Sequence, residues 1–186
     1  MIKKNNYLPE ILNDSEIEDL LDKPNLRTPT GFRNYLLIKL ILNTGITLSE
    51  TTSLTWNNIN LFMDELKINN DNAIKERTLL LNYEMIKLFQ SWEIRQKVEI
   101  GKCEYVFTTL DGKKIQNQYV RKMIKRYSNK AYIIKKVSPY TLRHTCGANL
   151  YKDTKDLKIV KNALGLNDLN YTKKYAIIAD ENYEYI

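Results

Sequence analysis

A chain of 186 residues and 21.9 kDa is long enough for one substantial core, and 43% hydrophobic with 27% charged residues is the balance of an ordinary globular protein in water. No apolar run reaches the roughly 18 residues of a membrane helix, and MIKKNNYLPE at the start has no signal-peptide core, so the expected setting is the cytosol with no membrane partner. One histidine and two distant cysteines, Cys103 and Cys146, argue against a zinc site, while a charge of +7 and a pI near 9.2 favour a polyanionic partner.

In chain order, NDSEIEDLLDKP opens with Asn13 and carries Glu16 three places on, the spacing of a capping box on a short helix that Pro24 closes. After Gly31, FRNYLLIKLILN places Phe32, Tyr35, Leu36 and Leu40 at helical spacing. Leu37, Ile38, Ile41 and Leu42 extend the apolar surface almost all round, so this helix belongs in the core. TGITLSE is a turn, after which Ser49 or Glu50 starts another short helix running through Leu54. ELKIN (65–69) alternates and RTLLLN (77–82) is apolar, which with the polar NDNAIKE between them predicts a β-hairpin. YEMIKLFQSWEIRQK aligns Met85, Leu88, Phe89 and Trp92 on one helical stripe, EYVF is a candidate strand and LDGKK a turn. With no linker or repeat, the predicted fold class is mainly α with a small antiparallel β-sheet (α+β), one domain over residues 1–186.

Two segments carry chemistry. In QNQYVRKMIKRYSNK (116–130), Val120, Met123, Ile124 and Tyr127 form a buried stripe, and Arg121, Lys122, Lys125 and Arg126 crowd the other face with no acid among them. Most basic runs are solvated faces, but cations this dense repel one another, and the phosphates of duplex DNA would offset that repulsion. In SPYTLRHTCGANLY (138–151), Ser138 caps a helix and Pro139 takes its first position. Leu142, Cys146 and Leu150 make the buried stripe, with Arg143 and Gly147 together on an adjacent face, the glycine clearing space beside the guanidinium. His144 by itself reads as a packed, hydrogen-bonded histidine rather than a base.

LPEILNDSEIEDLL, RNYLLIKLILNTGITLSETTSLTWNNINL, IKERTLLL, SPYTLRHTCGANLY and LGLNDLNYTKKYA occur in this order, and over almost the whole chain they resemble the catalytic domain of tyrosine recombinases, the phage-integrase family. That family shows TGxRxSExxxLxWxDI, a hairpin lysine, HxLRHT, and LGH followed nine residues later by the tyrosine. Leu164-Gly165-Leu166 stands here for LGH, and 175 − 166 = 9 puts Tyr175 in the nucleophile slot, with Thr172 at the family's preceding threonine and Tyr171 out of register. The resemblance implies attack of a tyrosine on a DNA phosphate, giving a 3′-phosphotyrosyl bond and a free 5′-hydroxyl, with rejoining by the reverse step. Guanidinium groups would hold the phosphate oxygens and a proton donor would serve the leaving oxygen; no metal or other cofactor is implied.

Against the family pattern, Arg143 and Tyr175 are kept and the other positions are changed. The first arginine falls on Thr47 and the hairpin lysine on Asp71 or Asn72, with Lys75 the nearest amine. The first histidine is Tyr140, which can donate a proton, and the LGH histidine is Leu166. His144 and Lys75 complete the set of candidates for the chemistry, and Arg121, Lys122, Lys125 and Arg126 the set for DNA contact. Losing one pre-organised donor to a transition-state oxyanion costs about 2.7–4 kcal/mol, so impaired catalysis is expected. The helical core-binding domain that integrases carry ahead of this one is expected to be absent, since LPEILNDSEIEDLL begins at residue 8; the chain is then either a fragment of a longer integrase or a minimal recombinase of the catalytic domain alone. In the tail AIIADENYEYI (176–186), Ile177, Ile178, Tyr183, Tyr185 and Ile186 are candidates for a homo-oligomer contact on DNA, or for packing on their own core. The leading function is a DNA-cutting and rejoining recombinase of weakened activity. The alternative is a catalytically degenerate DNA-binding accessory or regulatory protein, ahead of a basic protein whose partner is RNA or another protein.

Overall fold

Thr28 and Pro29 begin the helix on which the rest is built. In the computed structural model, which describes residues 8–69 and 76–179, α1 spans Asp14–Leu21 and α2 spans Pro29–Thr44. The Thr28 side chain accepts from the Gly31 amide and Pro29 occupies the first turn, so α2 starts ahead of Gly31 rather than after it. Leu36, Leu37, Ile38, Leu40 and Ile41 are fully buried, as the all-round apolar pattern predicts. Each such side chain stabilises the fold by roughly 1.5–3 kcal/mol. The α1 capping box forms as expected between Asn13 and Glu16.

α3 (Leu48–Ser53) begins one residue ahead of Ser49, because Thr47 is its cap and closes a second box with Glu50. The hairpin is present and gains a third strand: β1 (Ile59–Asn60), β2 (Glu65–Ile68) and β3 (Arg77–Leu80) form an antiparallel sheet in chain order. Leu66 lies opposite Leu79 and Ile68 opposite Arg77, so the Arg77 side chain leaves the sheet on the face that buries Leu66 and Ile68. EYVF is not a strand. It makes only the isolated bridge of Tyr105 with Thr55, its carbonyls being shared with side chains such as Trp92 Nε1, which donates to the Val106 carbonyl at 2.8 Å.

α4 (Tyr83–Glu99) and α6 (Pro139–Thr154) pack on α2, and α5 (Asn117–Lys130) buries Val120, Met123, Ile124 and Tyr127 as predicted. α7 (Leu157–Leu164) and α8 (Lys173–Ile178) lie against α6. Their apolar side chains make a second, smaller cluster of Ala148, Val160, Leu164 and Tyr175. Leu166 and Ile178 pack on that cluster, so Ile178 of the predicted tail contact serves its own core, while Tyr183, Tyr185 and Ile186 lie outside the described residues. No helix among the described residues is long and apolar enough to cross a membrane.

Candidate active site

The side chains singled out in α6 and α8 meet where the two apolar clusters adjoin. Arg143, only 6% exposed, reaches across to the ends of two other helices: its Nη1 donates to the Gly45 carbonyl at the end of α2, and its Nη2 to the Leu164 carbonyl of α7 at 2.8 Å. Those carbonyls carry the partial negative charge of a helix C-terminus, which suits a cation there. Burial still lowers the Arg143 pKa below its ordinary value.

Tyr175 is 1% exposed, and its hydroxyl lies 2.9 Å from His144 Nδ1. Burial pushes the tyrosine pKa up to about 12, although the Arg143 charge pulls the other way. Burial, then the charges of Lys174 and Arg143, push His144 down to about 4. Both shifts favour the neutral forms of the pair, and the contact holds the Tyr175 hydroxyl against the His144 ring. Tyr171 is 66% exposed in the turn before α8, away from this grouping.

Gly147 answers to Tyr175 rather than to Arg143. A Cβ at this position would lie 2.7 Å from Tyr175 Cε1 and 3.0 Å from Leu164 Cδ1, so the space it leaves is filled by the tyrosine ring. Gly147→Ala is therefore expected to destabilise by about 1–3 kcal/mol, by overpacking. In thermal melts that loss should combine sub-additively with Tyr175→Leu, which removes the clashing ring. Full additivity would place the strain elsewhere.

The remaining predicted positions divide. Tyr140 is 69% exposed and its ring lies 5.4 Å from that of His144. With Thr47, Arg121, Lys125 and Arg143 it lines a cleft of about 750 Å³. Lys122, Lys125 and Arg126 line a neighbouring groove with Tyr132. All four α5 cations are exposed, and none makes an ion pair with a carboxylate among the described residues. Leu166 faces the small apolar cluster and takes no part in the cleft. Asp71, Asn72 and Lys75 lie outside the described residues.

Sequence reasoning passed over two charged groups. Arg77 is held by Glu50, with Nη1–Oε1 at 2.7 Å, and donates through Nε to the Ala163 carbonyl at 2.8 Å; both side chains of the ion pair are under a tenth exposed. Its inward place in the alternation of β3 was the available signal. Lys174, half-buried with its pKa lowered by burial and by Arg143, lies over the Tyr175 ring. Among the described residues no three His, Cys, Asp or Glu side chains gather where they could hold a metal ion.

A buried tyrosine hydroxyl held by the histidine next to a buried arginine, the arginine lining a cleft with cations of α5, in a helical fold with one small sheet, fits a tyrosine-recombinase type of catalytic domain. Residues 10–182 match the phage integrase family, and the chain belongs to that family. It is 31% identical over 180 residues to tyrosine recombinase XerD of Staphylococcus aureus, covering 95% of this chain and 61% of that protein, so it spans about three-fifths of the length of such curated relatives. It superposes with a TM-score of 0.82 and 28% identity on XerH site-specific recombinase bound to palindromic difH substrate in a post-cleavage complex, over 95% of this chain and 52% of that one. On XerA recombinase the TM-score is 0.79 at 20% identity, over 96% and 67% of the two chains, a likeness of fold.

Proposed function

We propose that this chain binds duplex DNA along α5 and cuts and rejoins it through a 3′-phosphotyrosyl bond to Tyr175, at a rate well below that of a site with all its cationic donors. The observation that carries the DNA partner is the exposed face of Arg121, Lys122, Lys125 and Arg126, which has no ion-paired carboxylate among the described residues and runs into the cleft that Arg143 and Tyr140 line. The likeness to XerH, solved on its difH substrate, supports the same partner. In the reaction Tyr175 gives up its phenolic proton to solvent water as its oxygen bonds to phosphorus. The bond from phosphorus to the 5′-oxygen breaks, and the 5′-oxygen leaves with a proton for which the exposed Tyr140 hydroxyl is the donor in place of histidine. Joining strands from two duplexes needs more than one copy of the domain, so assembly on DNA is part of this proposal.

Converting Arg121, Lys122, Lys125 and Arg126 to glutamine tests the DNA surface. Affinity for duplex should fall steeply with salt in the unaltered protein, with a log–log slope of about −0.9 per phosphate contact, and the quadruple variant should flatten it. Binding that ignores salt, or that survives the quadruple change, would reduce α5 to a solvated face. One observation favours the accessory, DNA-binding function: the Arg143 guanidinium already donates to two helix-end carbonyls, and Thr47 brings no second charge to the cleft.

A further inference from the structure

A second group of cations lies on the other side of the start of α5. Arg33, 3% exposed in the first turns of α2, donates through Nε and Nη2 to Asn34 Oδ1, through Nη1 to the Thr108 carbonyl, and through Nη2 to Tyr119 Oη at 2.8 Å. Every one of these acceptors is neutral. No Asp or Glu among the described residues forms an ion pair with Arg33, Lys113 or Lys114, and Asp111 in the same turn pairs with neither lysine. Buried charges in proteins are ordinarily paired, because the desolvation penalty is otherwise uncompensated. Burial lowers the Arg33 pKa accordingly.

The network opens outward through Tyr119. Its hydroxyl accepts from Arg33 and, at 3.4 Å, from Asn34 Nδ2, which leaves its own proton to donate. That hydroxyl belongs to a side chain lining a cavity of about 480 Å³, together with Arg33, Lys113, Lys114 and Gln116. Lys114 is steadied there by the Ser53 hydroxyl at 2.8 Å and the Tyr105 ring. Gln116 gives α5 no side-chain cap, so the partial positive charge of the helix start adds to the same place.

We infer that the Arg33–Tyr119–Lys113–Lys114 cavity is a phosphate-binding site, separate from the cleft that Arg143 lines, and that its occupant is a backbone phosphate of the duplex bound along α5. Gln116 lines this cavity and its neighbour Asn117 lines the main cleft, so one duplex crossing the start of α5 meets both. Tyr119 and the lysines make the contact, and Arg33 acts through Tyr119 by polarising its hydroxyl. The DNA source rests on the function proposed above; the phosphate chemistry does not.

Lys113→Gln/Lys114→Gln and Tyr119→Phe test it, with circular dichroism to verify folding. On duplex, the double variant should flatten the salt slope by roughly one to two, at about 0.9 per contact, and Tyr119→Phe should weaken binding about tenfold or more, the loss of one hydrogen bond to a charged group. In parallel, thermal melts in inorganic phosphate are compared with chloride at equal ionic strength, where the unaltered protein should gain stability that both variants lose. Salt-sensitive duplex binding with an unchanged slope in the variants, together with a phosphate-specific gain in melting, overturns DNA as the source and leaves a site for free phosphate. Absence of both effects overturns the site. Loss of salt-dependent duplex binding by the unaltered protein sinks the DNA function instead, and the melts still decide the cavity.

Discussion

Tyr175→Phe abolishes covalent protein–DNA adducts on a nicked duplex, and Tyr171→Phe leaves them intact: this is the expected result of trapping with a substrate whose 5′-hydroxyl fragment diffuses away. The hydroxyl at 175 is the one placed beside His144 and within the influence of Arg143, whereas Tyr171 is exposed in the preceding turn. With its pKa pushed up to about 12, the buried phenol is a weak nucleophile until a cation stabilises the negative charge it develops, so adduct should be scarce and slow. Thr47→Arg should raise the yield, because position 47 lines the cleft with Arg143 and Tyr140. One donor is worth about 10²–10³ in rate when pre-organised, against about 1 kcal/mol of stability lost with the α3 cap that Thr47 supplies. Leu166→His is the poorer restoration, since Leu166 packs on the small apolar cluster. Adduct that persists in Tyr175→Phe would move the nucleophile elsewhere.

The largest expected loss of stability comes from Arg77→Met. It leaves the Glu50 carboxylate buried without its ion-pair partner, which costs about 3–5 kcal/mol, reduced somewhat by relief of the repulsion between Arg77 and Arg143. Burial alone would raise the Glu50 pKa, but the Arg77 hydrogen bonds and charge, with the Thr47 hydrogen bonds, hold it below the ordinary value. In the native protein this depressed carboxyl contributes stability that is present at neutral pH and lost only as pH falls through its folded pKa. In Arg77→Met the desolvated carboxyl has a raised folded pKa instead, so the variant gains stability as pH falls through that value toward the lower unfolded one. Denaturant titrations at pH 7 and pH 4 should therefore show the gap between the two proteins narrowing in acid, and Glu50→Gln added to Arg77→Met should recover part of the loss. A gap that widens in acid would show that Glu50 is not the group left unpaired.

What the sequence made legible follows from the range of the interactions concerned. The boxes and caps at Asn13–Glu16 and Ser138 were readable because both partners sit within one turn. The α5 stripe and the alternation of β2 were readable because burial repeats with the period of the element. The match of Tyr175 to the family spacing found a residue that the fold brings to His144 across 31 residues. Arg33 was not readable: it lies in a helix apolar almost all round, where no period separates inward from outward, and its partner Tyr119 is 86 residues away. Arg77 showed only its inward place in β3, because Glu50, which holds it, is 27 residues away. Gly147 was misassigned for the same reason, since the ring that requires a glycine there belongs to α8 and not to its own helix.

The placement of Tyr175 has one further consequence. The helix that carries it, Lys173–Ile178, is too short to persist alone, and Tyr175 is its one fully buried side chain. On the proposed function, the side chain that attacks DNA is also the anchor that docks the C-terminal helix. Each cleavage then requires this small cooperative unit to open locally while the α2 core stays closed, and rejoining lets it dock again. Substitutions that tighten the cluster of Ala148, Val160 and Leu164 should raise thermal stability and slow turnover together, a trade-off located in the fold rather than in the chemistry.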